Sequence, residues 1–271
     1  MLNMHKAIAD TLDRVRKEVP LVHHITNQVV MNDCANITLH IGGSPVMAYA
    51  PEEVEEMVSL SDCLVLNVGT LTTDLVESMV KAGRRANQKG IPVLLDPVGA
   101  GATIMRTEAS KRLLNELKID IIKGNPGEIS VLAGLKAQVR GVDSVDAHGE
   151  PREVVKKLAA ETGSCVVMTG SVDWVSDGKR TFCVKNGHIL LSKLTGTGCI
   201  LGSIIGSFAG VGKDPLTASL SGLVCLGIAA ELAAGKESLP ASFKRALFDE
   251  VYALDREKII KYARVEELTN R

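Results

Sequence analysis

Five short, almost uninterrupted apolar runs recur along the chain: PVMAYA (45–50), CLVLNVG (63–69), IPVLLDP (91–97), DIIKGN (120–125) and CVVMTG (165–170). Each is bounded by Gly, Pro or Asn and is too short for an ordinary helix, so each reads as a strand buried on both faces. The segments between them have helical spacing. Thr73 to Gln88 turns Val76, Met79, Val80 and Gly83 inward, and Arg152 to Glu161 does the same with Val155, Leu158 and Ala159. Strand alternating with helix implies an α/β fold, a mostly parallel central sheet with helices on both faces. At 271 residues with no composition break, no linker and no repeat, one domain spanning 1–271 is expected.

Two regions depart from that alternation. Trp174 to Leu191 carries turn signals at Asp177-Gly178 and Asn186-Gly187, which predicts a small antiparallel meander. From Gly196 onward the pattern is almost wholly helical. Its most apolar stretch, Pro215 to Ala230, is broken by Ser and Thr and followed by Glu231, short of the ~20 clean residues a membrane span needs, so a buried core helix is expected. Residues 135–150 are predicted as a mobile surface loop.

Charge narrows the partners. Thirty-one Lys and Arg face 32 Asp and Glu with no long block of either sign, and aromatics are only 3%, which argues against nucleic acid and against an anionic membrane. The six cysteines form no C-x-x-C pair, and the opening segment MLNMHKAIADTLDRVRKE is charged and amphipathic, without an apolar signal core. A reducing, cytoplasmic setting is the expectation.

In an open parallel sheet, ligands sit beyond the carboxyl ends of the strands. There the sequence places Asn67-Val-Gly-Thr70, Asp96-Pro-Val-Gly-Ala-Gly101, Lys123-Gly-Asn-Pro-Gly-Glu128 and Thr169-Gly-Ser171. A carboxylate, a cation, small hydroxyls and exposed amides together suit phosphate and a hard metal. Taken singly, Asp96-Pro97 is also an ordinary turn opener, and Asn125-Pro126-Gly127-Glu128 is also a helix start with Asn at the N-cap. The sharper signal is Leu194-Thr195-Gly196-Thr197-Gly198-Cys199, which runs directly into an apolar helix and aims unpaired amides at the crevice. Amides so arranged can hold a transferring phosphoryl group. No G-x-x-x-x-G-K-[ST] occurs, and Leu201 stands where a dinucleotide fingerprint wants its third glycine.

PLVHHITNQVV (20–30), GGSPVMAYA (42–50), LNVGTL (66–71), DPVGAGAT (96–103), KGNPGE (123–128), MTG (168–170) and TGTGC (195–199) together resemble the hydroxyethylthiazole kinase family. That family belongs to the ribokinase-like superfamily, so the resemblance implies a ribokinase-like three-layer fold and Mg²⁺- and ATP-dependent phosphorylation of a thiazole alcohol. It also implies that Asp96 and Glu128 organise Mg²⁺, that Lys123 and Thr169 contact ATP beside Thr197 and Gly198, and that Met47, Gly196, Asn27 and Val29 surround the alcohol. A homotrimer with active sites at subunit interfaces follows from the same resemblance. Lys123 stands where some relatives carry Arg, and it lacks that residue's planar two-pronged contact.

Cys199 occupies the position where many ribokinase-like enzymes have a catalytic Asp. A helix N-terminus can lower a thiol pKa, which would make Cys199 a base; an inert thiol in the first turn is the alternative. His23-His24 invites a metal reading, but adjacent residues of an extended segment point to opposite sides, and packing or a substrate wall is expected. His5, His40, His148 and His188 show no pairing with Cys199, which leaves a Cys/His hydrolase little support. Three rivals share some features: a ribokinase-like kinase for a pyrimidine or pyridoxal alcohol, a nucleotide-driven dehydratase of hydrated nicotinamide cofactors, and a nucleotide-sensing module.

Overall fold

The computed structural model describes residues 2–135, 137–140, 143–147, 149–212 and 214–268. Its strands are β1 (Leu21–Ile25), β2 (Ser44–Val46), β3 (Cys63–Asn67), β4 (Val93–Asp96), β5 (Ile121–Gly124), β6 (Ala137–Arg140), β7 (Asp143–Ala147), β8 (Cys165–Met168), β9 (Asp173–Ser176), β10 (Thr181–Val184) and β11 (Val265–Glu267). Among the described residues, nine of them form one sheet in the order β11-β10-β9-β8-β5-β4-β3-β1-β2. The six from β2 to β8 pair in parallel, and β9, β10 and β11 extend the sheet antiparallel.

Side chains alternate between two cores along each central strand. Val22, Cys63, Val65, Leu94 and Ile121 face one cluster; Ile25, Leu64, Leu66, Leu95 and Ile122 face the other. Both faces are apolar because both are covered, which is why the strands read as unbroken apolar runs. The first core is closed by α1 (Leu2–Glu18), α2 (Met31–Ile41), α8 (Thr197–Val211), α9 (Pro215–Ala234), α10 (Pro240–Tyr252) and α11 (Arg256–Tyr262). The second is closed by α3 (Val54–Leu60), α4 (Thr73–Lys89), α5 (Ile104–Glu116), α6 (Pro126–Leu132) and α7 (Pro151–Thr162). This is the expected α/β architecture with helices on both faces.

Helix α9 is long and apolar enough to cross a membrane, but 83% of its most apolar window is buried inside the protein. Its surroundings explain its composition: it packs against α8, α10 and the antiparallel strands. Asp214 caps it by accepting from the amides of Leu216 and Thr217.

Three expectations need correction. PVMAYA supplies only the three-residue, half-buried edge strand β2; an edge pairs on one side and tolerates Pro45. The strand that lies inside the sheet there is β1, whose two histidines hid it. The meander makes its first turn, where Gly178 takes φ +86° and Asp177 N–H donates to Arg180 O at 3.2 Å, but not its second. After β10 the chain runs into a 3₁₀ turn (Ile189–Lys193), and β11, from the far end of the chain, pairs with β10 instead. Residues 135–150, expected as a loop, contain the antiparallel pair β6 and β7; residues 136, 141, 142 and 148 of that segment lie outside the described residues, as does the expectation for His148.

Candidate active site

Strand order locates the site. Because β1 sits between β2 and β3, the chain winds outward in both directions from β1 and β3, and the crevice at their carboxyl ends is a topological switch point. Asn27 follows β1 and Asn67 closes β3, one on each side of it. Asp96 closes β4, Lys123 lies in β5, and Thr169 follows β8. The buried strands therefore deliver one polar side chain each to a common floor.

That floor is a continuous hydrogen-bonded array. Asn27 Nδ2 donates to Asn67 Oδ1 at 2.9 Å, and Asn67 Nδ2 donates to Asp96 Oδ2 at 2.7 Å. Lys123 Nζ stands 2.9 Å from Asp96 Oδ1 and donates to Gly198 O at 3.1 Å. Both members of this ion pair are almost fully buried, and removing either would leave an uncompensated charge. Burial works against the charge of Lys123, but Asp96, Cys199 and Glu128 more than offset it and hold its pKa above the ordinary value.

Glu128 ties two loops together. Its carboxylate accepts Gly99 N–H at 2.7 Å and Asn125 N–H at 2.8 Å, while Asn125 Oδ1 accepts Glu128 N–H at 2.9 Å. The second and third of these form the capping box of α6, so the helix-start reading of NPGE is correct and coexists with a place in the site. Burial, followed by repulsion from Asp96, pushes the Glu128 pKa up to about 7, against the opposing pull of Lys123 and the two amides. Two carboxylates lining the same cleft offer oxygen ligands that suit a hard divalent cation, whose remaining ligands phosphate and water would supply. No group of three or more His, Cys, Asp or Glu residues able to hold a metal exists among the described residues.

The roof is the start of α8. Gly196, at its N-cap, has φ +81° and no side chain to satisfy the amides that follow. A Cβ at Gly196 would lie 2.2 Å from Val30 Cγ1, so glycine is required by both backbone conformation and space. The open amides and positive helix end face the floor.

Cys199 Sγ lies 3.3 Å from the amide nitrogens of both Asn27 and Asn67. Of the two readings left open for this thiol, a base activated by the helix end or an inert group in the first turn, its surroundings favour the second. Burial, then the charge of Asp96, pushes the thiol up to about 12, and Lys123 only partly counters this. His23 and His24 are buried and bond to different partners: His23 Nε2 donates to Ala48 O at 2.5 Å, and His24 Nε2 lies 3.1 Å from Ser203 Oγ. Burial pulls His24 down to about 4, so it is neutral.

Two clefts meet at this point. One, about 540 Å³, is lined by Asn27, Val29, Val30, Asp96, Lys123, Glu128 and the whole of Leu191–Cys199. The other, about 500 Å³, has apolar walls of Leu191, Leu201, Leu223 and Leu226 and a polar rim from Thr169 to Ser171 with Asp173. They share Thr169, Leu191, Ser192, Thr197 and Gly198. Of the residues expected at the site, Asn27, Val29, Asp96, Lys123, Glu128, Thr169, Gly196, Thr197, Gly198 and Cys199 are brought together. Met47 is not: it follows the edge strand β2, packs against the first core, and lines neither cleft.

Sequence reading placed Asn67 at the crevice without giving it a role, although it is the hub of the array, and it passed over Arg106. Arg106 Nη2 donates to Gly69 O at 2.7 Å, and its Nη1 would lie 2.3 Å from a Cβ at Gly99, so the guanidinium braces the loops after β3 and β4. Asn67 ends an apolar run, the signal that placed it at the crevice; Arg106 sits in an ordinary helical segment and offers none.

The model of the hydroxyethylthiazole kinase family matches residues 12–257. A hydroxyethylthiazole kinase of Desulfatibacillum aliphaticivorans is 52% identical over 268 residues, covering 99% of this chain and all of the relative. The solved structure of a hydroxyethylthiazole kinase from Pyrococcus horikoshii OT3 superposes with a TM-score of 0.89 at 46% identity, over 97% of this chain and 99% of that one. A pyridoxal kinase of Bacillus subtilis, solved as an ADP complex, shares the fold at a TM-score of 0.61 and 16% identity, over 79% of this chain and 92% of its own.

Proposed function

The chain belongs to the hydroxyethylthiazole kinase family and phosphorylates the thiazole alcohol of thiamin salvage; from that premise we propose how its clefts divide the reaction. The apolar 500 Å³ cleft takes the base and sugar of ATP, and the 540 Å³ cleft takes the phosphates and 4-methyl-5-(2-hydroxyethyl)thiazole. The observation that carries this is the junction of the two, where Lys123, Asp96, Glu128 and the open end of α8 converge.

Lys123 and the amides of Thr197, Gly198 and Cys199 stabilise charge on the transferring phosphoryl group. They are fixed before the substrate arrives, so no reorganisation is needed during transfer. Asp96 and Glu128 would hold Mg²⁺, which when bound neutralises phosphate charge. Asn27 and Asn67 orient Asp96 and define the wall against which the alcohol rests, with Gly196 and Val29 at its entrance. Cys199, protonated at neutral pH, acts as part of that wall rather than as a base. Phosphoryl transfer through a loose transition state depends on positioning and charge more than on early proton removal.

We propose further that the 271 residues form one kinase domain, since a single sheet runs from β2 to β11, and that it assembles as a homotrimer. Val29 and Ile104 are 67% and 85% exposed, and Met47 stands outside the clefts of its own chain; a pocket completed between copies would use all three. A cytoplasmic location fits the six free thiols. Titration calorimetry of ATP with and without Mg²⁺, on wild type and Asp96→Asn, tests the cation site. The proposal predicts metal-dependent tightening in the wild type alone, and equal tightening in both proteins would remove Asp96 from the site.

A further inference from the structure

Part of the wall of the apolar cleft is the connection Asn186-Gly187-His188, which joins β10 to the 3₁₀ turn that opens at Ile189. A connection facing a cleft would ordinarily move. Here its first two residues are held by Glu231, the one charged residue of α9. Glu231 Oε1 accepts Gly187 N–H at 2.7 Å and Asn186 Nδ2 at 3.2 Å. The rest of Asn186 is anchored to the C-terminal segment: Nδ2 donates to Tyr262 O at 2.9 Å, and Oδ1 accepts Arg264 N–H at 2.7 Å. Arg264 closes the array, donating to Glu231 Oε1 at 2.5 Å and to Lys185 O at 2.7 Å.

The fit beneath the loop is close. A Cβ at Gly227, one turn before Glu231 on α9, would lie 2.5 Å from Asn186 Cβ and 2.9 Å from Asn186 O. The loop therefore lies directly on the helix backbone, at a height set by Gly227 and a lateral position set by Glu231. Neither Glu231 nor Arg264 lines the cleft.

We infer that Glu231 is a positioning residue for the nucleotide: acting through Asn186 and Gly187, and itself oriented by Arg264, it fixes the wall against which the base and sugar of ATP bind. This rests on the assignment of the 500 Å³ cleft to ATP. An anchor that served folding alone would alter thermal stability and leave substrate selectivity untouched. A positioning role alters the Michaelis constant of one substrate and not the other.

The test measures KM for ATP and for the thiazole alcohol, with thermal melts, in Glu231→Ala, Glu231→Gln and Gly227→Ala. Glu231→Ala is expected to raise KM for ATP about tenfold and to leave KM for the thiazole within about twofold. Glu231→Gln keeps an acceptor for Gly187 N–H and restores KM for ATP to within about threefold of wild type. Gly227→Ala pushes the same loop without changing any charge, and because Gly227 itself borders the cleft, its one-sided rise tests the assignment of that wall to ATP even if Glu231→Ala fails to fold. KM for ATP within twofold in both alanine variants, or KM values that rise together, overturns the positioning role. A rise confined to the thiazole overturns it too, and in that case it is the assignment of the cleft to ATP that has failed.

Discussion

Replacing Cys199 by alanine separates a thiol base from a thiol wall. With the thiol pKa pushed up to about 12, only roughly 3 in 10⁵ molecules carry a thiolate at pH 7.5, and populating it costs about 6 kcal/mol. A positioned general base typically contributes 10²–10⁴-fold, so an unionised thiol of this kind supplies almost none of that. What alanine removes is a weak acceptor 3.3 Å from Asn27 Nδ2 and Asn67 Nδ2. Each amide keeps a stronger partner, Asn67 Oδ1 for the first and Asp96 Oδ2 for the second. The floor should therefore hold its shape, and kcat should fall by less than about tenfold, with a rise of a few-fold in KM for the thiazole. The assay is steady-state ADP release with saturating ATP, repeated as a single turnover so that product release does not mask the chemical step. A loss of about 10²-fold or more in the single-turnover rate, with ATP affinity unchanged, would refute the reasoning.

Glu128 predicts a pH dependence. Its folded pKa of about 7 lies above the 4.5 of the free side chain, so between those values the folded protein binds more protons than the unfolded chain, and stability without metal should fall as pH rises across that window. Metal affinity runs the opposite way, since the ligand must be ionised: apparent Mg²⁺ affinity should rise about tenfold from pH 6 to pH 8, by calorimetry, and a flat profile would remove Glu128 from the cation site. Gly196→Ala forces a side chain into a left-handed conformation and against Val30 Cγ1; a displacement of the α8 roof by about 1 Å should lower kcat/KM for the thiazole by about 10²-fold. Wild-type kinetics in that variant would show that the roof yields without consequence.

The sheet was legible because its central strands are buried on both faces, which leaves them no polar alternation. β1 escaped because His23 and His24 interrupt its apolar character, and both turn out to be buried and bonded within the protein. The parts of the site that announce themselves locally, the glycine-rich start of α8 and the KGNPGE segment, were readable. Those that depend on distant partners were not. Asn67 matters through Asn27 and Asp96, Glu231 through Asn186 and Arg264, and in each case the partners are 29 to 45 residues away along the chain. The choice between a base and an inert thiol at Cys199 stayed open for the same reason: the helix end is visible in sequence, but burial and the neighbouring Asp96 are products of the fold.

The most direct test is to incubate the purified protein with ATP, Mg²⁺ and 4-methyl-5-(2-hydroxyethyl)thiazole, beside pyridoxal, pyrimidine alcohol and hydrated nicotinamide controls, and to follow products by mass spectrometry. The account predicts thiazole monophosphate and ADP, formed in preference to any control product and lost when the metal is chelated. Turnover of a control with no thiazole phosphate would contradict it.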